Sequence, residues 1–211
     1  MSTLTSGDLD VVIPEGSGVE VVELESGIKE VAVSVPTTDL EISSEGDAPV
    51  VLAGKKLTDP VVTNNAVKGS TAEFVVSNKK VTNLVFETSG KGATDLSVAE
   101  GKFVKATITT SEAKAKDSIS FARAATVNGG SIASGKGKDT ITFKNGVTVK
   151  GKVTIETGKG KDVIEVGDKN VKGKLVLSDF SKKDRLVVGD DTFKLADIKN
   201  GDAPKFIRLD A

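Results

Sequence analysis

GKGKDTITF (residues 135–143) and GKGKDVIEV (residues 158–166) decide how this chain is read. Their aspartates, Asp139 and Asp162, stand 23 positions apart. Stepping back 22 from Asp139 reaches Asp117 in AKAKDSISF, and stepping forward 22 from Asp162 reaches Asp184 in SKKDRLVV. Further back, the same position is held by Thr94 in GKGATDLSV, by Ala72 in KGSTAEFVV and by Ala48 in EGDAPVVL. The residues two and four after each of these anchors are Val50 and Leu52, Phe74 and Val76, Leu96 and Val98, Ile119 and Phe121, Ile141 and Phe143, Ile164 and Val166, and Leu186 and Val188. All are apolar. Apolar residues at every second position mark a strand with one buried face. A strand repeated once per coil stacks into parallel apolar columns.

Each coil carries a second apolar segment about ten residues on, as in VTVKGKVTI (147–155), VKGKLVL (171–177), VKATI (104–108) and VTNLVF (81–86). The shared V-K/N/T-x pattern marks a turn between two more short strands. A repeat this short is too small for a propeller blade, which needs roughly 40 residues or more. No stretch shows the 3.6-residue apolar period of a helix. The reading is an all-β chain, a parallel β-helix or β-solenoid with coils of 22 or 23 residues over 48–198. Positions two and four before the anchor are Gly in three coils (Gly90 and Gly92, Gly135 and Gly137, Gly158 and Gly160) and Ala in one (Ala113 and Ala115). Small residues suit an inward corner with little room, and the Ala pair suggests size rather than left-handed backbone.

GKGKDTIT and GKGKDVIE resemble the calcium-binding nonapeptide of the RTX family, G-G-x-G-x-D-x-U-x with U apolar. The closing LSDFSKKDRLVVGDDTFKLADI resembles the segment that follows such repeats. The resemblance implies a β-roll in which Asp139 and Asp162 are calcium carboxylates and Gly135, Gly137, Gly158 and Gly160 form the turns. The match covers two coils. Each coil has a single nonapeptide, Ser134 or Thr157 replaces the first Gly, and Lys136, Lys138, Lys159 and Lys161 fill the variable positions. Aspartates stacked about 4.8 Å apart repel one another unless something neutralises them. The residues leave three candidates: calcium, the adjacent column of Lys116, Lys138, Lys161 and Lys183, or backbone N–H groups in an Asx-type turn. The structural reading is favoured over a metal, so no cofactor is expected and calcium is the alternative.

Composition narrows the chemistry. The chain of 211 residues has no Cys, His, Trp or Tyr. Cys-based metal sites, thiol nucleophiles and the usual neutral-pH base are therefore excluded. Acidic pairs occur, yet without an aromatic sugar platform a glycosidase or lyase site is not expected, and the chain is read as no enzyme. Asp190, Asp191 and Gly167-Asp168 read as turns. Met1 to Asp10 lacks a positive charge followed by an apolar run, and no 18-residue apolar stretch occurs. The expectation is a chain made in the cytoplasm with no membrane span.

Charge is unevenly distributed. Residues 1–47 carry eleven acids and one base, a net −10, against +9 for the remainder. That segment, with strands at 19–24, 28–35 and 39–43 and with Pro14 and Pro36, is read as a separate acidic β-module or cap that docks on a basic surface. Residues 199–211 are read as a C-terminal cap, with Phe193, Leu195, Ile198, Phe206 and Ile207 folding back on the last coil. The expected role is a virion component of a phage, on capsid or tail, assembled in the host cytoplasm. Its expected partners are capsid or tail subunits and copies of itself, with a trimer by analogy to other solenoids. The alternative is an extracellular RTX-like adhesin or surface-layer protein. The lysine excess admits an anionic polysaccharide. Nucleic acid is disfavoured because Arg and aromatics are not concentrated with the lysines. Protection of exposed strand edges is the preferred reading of the lysines.

Overall fold

The structure is a computed structural model. It describes strands at 3–6, 11–13, 21–24 and 30–33, and residues 37–45, 50–111, 113–167 and 171–210. The chain winds as a parallel β-solenoid. Nineteen of its strands join one sheet, and three short ones form a strip at the Gly-rich corner. The register follows the repeat: Thr94 pairs with Ala72, Ile119 with Ile141, and Ile141 with Ile164. Of the fourteen apolar residues after the anchors, all but Val188 are buried, and Val188 packs partly against the core. Phe121 and Phe143 stack at 4.9 Å, while Phe74 and Phe86 meet edge-on at the same distance.

The turn read from the V-K/N/T-x pattern is a second corner with a defined cause. Asp39, Asp59, Asn83 and Lys105 have φ of 53°, 52°, 53° and 54°, and Gly129 and Gly151 have 69° and 66°. Strand register stacks these residues one above another. A left-handed residue at one place per coil bends every coil there, and Asp, Asn and Gly tolerate that conformation best. Asn83 Nδ2 also donates to Asp59 Oδ1 at 2.7 Å, tying two coils together.

The acidic N-terminal segment does not interrupt the stack. Val11–Ile13 pairs in parallel with Glu30–Val33, Val21–Leu24 with Glu41–Glu45, and Glu30–Val33 with Val50–Thr58. These coils step by 20 or 21 residues, and the next, from Val50 to Phe74, steps by 24. The period of 22 or 23 therefore belongs to the later coils. The shorter coils escape a fixed-period comparison because their steps differ in length from those that follow. Parallel pairing thus runs across the boundary drawn at 47 and 48, and the strands before it continue the solenoid sheet. Ala48, Pro14, Pro36 and Asp168 lie outside the described residues.

At the other end, Asp191–Phe193 turns back antiparallel on Arg185–Val188 through Gly189 and Asp190. Asp190 sits in that turn, whereas Asp191 begins the strand. A short helix, Leu195–Asn200, follows, and Ile207–Leu209 adds a parallel strand beside Lys174–Leu177. Ile198 and Ile207 are buried, and Phe193, Leu195 and Phe206 pack partly against the core. The C-terminal residues therefore cover the last coil and extend its sheet by one strand. No helix among the described residues is long and apolar enough to cross a membrane.

A buried carboxylate ladder as the candidate functional site

The anchor aspartates turn inward. Asp117, Asp139, Asp162 and Asp184 are 1–2% exposed. Each carboxylate reaches back to the preceding coil and accepts the backbone N–H of its anchor. Thr94 N–H donates to Asp117 Oδ1 at 2.7 Å, Asp117 N–H to Asp139 Oδ1 at 3.0 Å, Asp139 N–H to Asp162 Oδ1 at 2.9 Å and Asp162 N–H to Asp184 Oδ1 at 3.1 Å. The side chain thus replaces a peptide carbonyl in the inter-coil ladder. It satisfies a donor that is costly to bury unpaired.

The small residues before each anchor make this possible. A Cβ on Gly137 would collide with the Ala115 carbonyl and crowd Asp139 Oδ1, and one on Gly160 would collide with the Gly137 carbonyl and with Asp162 Oδ1. Here Gly clears space for the carboxylate. Two positions earlier the reason differs: Gly90, Gly135 and Gly158 have φ of 92°, 77° and 75°. Size alone, suggested by Ala113 and Ala115, does not account for that position.

A second polar column runs beside the first. Ser44, Asn64, Thr88, Thr110, Ser134, Thr157 and Asp179 succeed one another coil by coil at the end of the third strand. Ser134 and Thr157, which depart from the nonapeptide pattern, belong to it. The Thr110 hydroxyl lies 2.7 Å from Asp117 Oδ2 and 2.9 Å from the Ser134 carbonyl, and Thr88 and Thr94 share a hydroxyl pair at 2.8 Å. Asp179 closes the column by accepting Thr157 N–H at 2.7 Å and Gly158 N–H at 2.6 Å. Asp184 closes the other, its Oδ2 accepting Ser181 N–H at 2.7 Å. The recurring hydroxyl five to seven residues before the anchor was the sequence signal for this column.

Between these closures, Asp139 Oδ2 and Asp162 Oδ2 are buried without a hydrogen-bond partner. Burial is the main force raising both carboxyls. It pushes Asp139 up to about 7, with N–H donation from Asp117 opposing it and the charges of Asp117 and Asp162 adding to it. Burial likewise pushes Asp162 up to about 6, against N–H donation from Asp139, with Asp184 and Asp179 adding. Asp117 is raised by burial too, and is restrained by the Thr110 hydroxyl and Thr94 N–H. Proton uptake is thus a route to neutralising part of the column, beside the three that the sequence suggests.

Calcium takes six to eight oxygens. At Asp139 and Asp162 each Oδ1 is already engaged. The carbonyls of Gly135, Asp117 and Asp139 accept N–H groups of Lys159, Thr140 and Val163 at 3.0, 2.9 and 2.9 Å. Of the four oxygens of these two carboxylates, the two Oδ2 atoms remain without a partner, and among the described residues no group of three or more acidic side chains is placed to hold a metal ion. As folded, both Oδ1 atoms and these three carbonyls are already engaged in the ladder. Elsewhere, a surface groove of about 780 Å³ follows the corner after the strands at 140–143 and 163–166, where it carries Arg123, Lys144, Glu165 and Asp190.

Together these features define a parallel β-solenoid with a buried carboxylate ladder along one corner. No protein-family model, curated protein or solved structure matches the chain.

Proposed function

We propose that the chain is a non-catalytic structural subunit of a phage virion, a capsid decoration or cement protein or a tail-associated one. One observation carries this reading: each anchor carboxylate gives one oxygen to a coil-to-coil hydrogen bond, which suits a stiff spacer better than a reaction site. Charge gives the rod a direction, with −10 in residues 1–47 and +9 beyond. In this reading the acidic end docks on a basic capsid or tail surface and the basic solenoid projects, in a homo-oligomer of three. The test is the protein content of purified particles produced by the genome that encodes the chain, together with the native mass of the purified protein. The chain is expected among the particle proteins in many copies and as a trimer in solution. Particles without it overturn the virion role, and a monomer at every concentration overturns the trimer.

A second reading, a secreted RTX-like calcium-binding adhesin or surface-layer protein, draws on the partnerless Asp139 Oδ2 and Asp162 Oδ2. It requires the corner to open so that carbonyls now held in the ladder turn to the ion. Melting followed during a calcium titration separates the two readings. The structural reading expects no change with calcium or chelator, and a large rise in melting temperature favours secretion.

A further inference from the structure

The corner that follows each anchor strand gathers cations over five successive coils. Lys56, Lys80 and Lys102 stand in register, one per coil. Lys55 and Lys79 precede the first two by one residue. In the next two coils the corner carries Arg123, one residue before the partner of Glu100, and Lys144, whose N–H donates to the Phe121 carbonyl. A Cβ on Gly146 would meet Arg123 Cγ, so the missing side chain leaves the arginine room to lie against the following coil. Lys80 is half-buried and the other six are exposed. Coils about 4.8 Å apart place the seven cations along about 19 Å of the rod.

The charge of this strip is not cancelled from within. Glu100 is the acid on the corner, and its carboxylate accepts the Ser77 hydroxyl at 3.3 Å. Seven cations against one acid leave +6. None of the seven is in an ion pair. Between Val33 and Thr37, which pair with Gly54 and Leu57, the sequence Ser-Val-Pro adds no charge. Edge protection, the role expected of lysines from sequence, requires an unpaired strand. Val50–Thr58, Thr71–Thr82, Ala93–Thr109 and Ser118–Ala133 each pair on both sides. At its far end the strip opens into the groove of about 780 Å³ lined by Arg123 and Lys144. The later coils line that groove with Glu165 and Asp190, so the positive field ends there.

We propose that this corner binds a linear sulfated polysaccharide lying along the solenoid axis, with one end in the groove. A one-sided field of this length attracts a polyanion. The backbone positions of the cations are fixed by the sheet, which lowers the ordering cost of binding. Cations outnumber coils here. A polyuronate carries a single charge per sugar, whereas a heavily sulfated chain carries several and matches this density. Lysine meets sulfate as a point charge, and Arg123 adds a forked donor where the strip enters the groove. Single-stranded nucleic acid calls for stacking surfaces, and base reading in a duplex calls for several Arg. All eight Phe side chains are buried or pack against the core, and Arg123 is the one Arg of the strip. The inference goes beyond the virion reading and stands or falls without it.

The test is binding of the full-length protein to heparin at low and physiological salt, with polygalacturonate, duplex DNA and neutral dextran as comparison probes. Heparin is expected to bind, to weaken as salt rises, and to bind roughly tenfold or more weakly to Lys56→Ala/Lys80→Ala. Lys138→Ala/Lys161→Ala removes the same charge from the Gly-rich corner and is expected to bind as the parent does. Melting temperature checks the fold, and Lys55→Ala/Lys79→Ala, at exposed positions, gives a second reading of the same strip. The proposal is overturned by absence of heparin binding or by equal weakening in the strip and Gly-corner variants. It is also overturned by polygalacturonate or DNA binding as tightly as heparin. A native mass that falls in Lys56→Ala/Lys80→Ala overturns it too, because the strip would then be a contact between copies.

Discussion

Stability is expected to fall as pH rises from about 4 to about 8, by several kcal/mol from the buried ladder alone. Asp139 and Asp162 are held at about 7 and about 6 in the fold, against 3.8 in an open chain. Over this interval the folded protein keeps protons that the unfolded chain has released. The stabilisation is complete below the unfolded value, declines as pH climbs, and is gone once pH passes the folded values. The two carboxyls share one column, so losing the first proton makes the second harder to lose, and the pair titrates as a unit. For a chain of this size each kcal/mol lost corresponds to roughly 2–4 °C in melting temperature. Asp139→Asn/Asp162→Asn keeps an acceptor for the Asp117 and Asp139 N–H groups but removes the titration. The variant is expected to match the parent near pH 4 and to exceed it increasingly toward pH 8. Thermal melts of both proteins across that range decide the matter. A parent whose stability rises through the interval, or a variant with the parent's slope, would show that the ladder is not proton-neutralised.

The apolar half of the fold was open to reading because each coil repeats the same two inward residues. Ile119, Ile141 and Ile164 align by count alone, and the register places them in contact. The coils before Val50 were harder to recognise, since their steps of 20 and 21 differ in length from those that follow. The polar half was only partly legible. Asp139 and Asp162 announced themselves, but their resemblance to metal ligands depends on carbonyls that the ladder already uses. The hydroxyl column was visible as Thr88, Thr110, Ser134 and Thr157, yet its spacing to the anchor varies from five to seven residues. A loop of changing length between two fixed columns hides the column from any fixed-period comparison. The pairing of Thr110 with Asp117 lies within one coil, where the corner between the two residues brings the ends of two faces together.

Gly158→Ala is expected to destabilise the protein by about 3 kcal/mol or more, while Gly69→Ala costs about 1–2 kcal/mol. Both glycines are left-handed, with φ of 75° and 88°. A side chain at either position therefore carries the same conformational penalty. They differ in what surrounds the added Cβ. At Gly69 nothing lies within 4 Å, whereas at Gly158 the Cβ would overlap the carbonyl oxygen of Gly135 in the coil above. That oxygen accepts the Lys159 N–H at 3.0 Å, and the Gly158 N–H is held by Asp179 Oδ2 at 2.6 Å. The corner cannot shift outward without breaking a bond on one side or the other. Urea unfolding of the two single variants measures both costs, and their difference isolates the crowding between coils. Equal losses would mean that the corner is loose enough to admit a methyl group. In that case the spacing of the Gly-rich turns would reflect backbone handedness alone, and the close stacking that buries the carboxylates would need another cause.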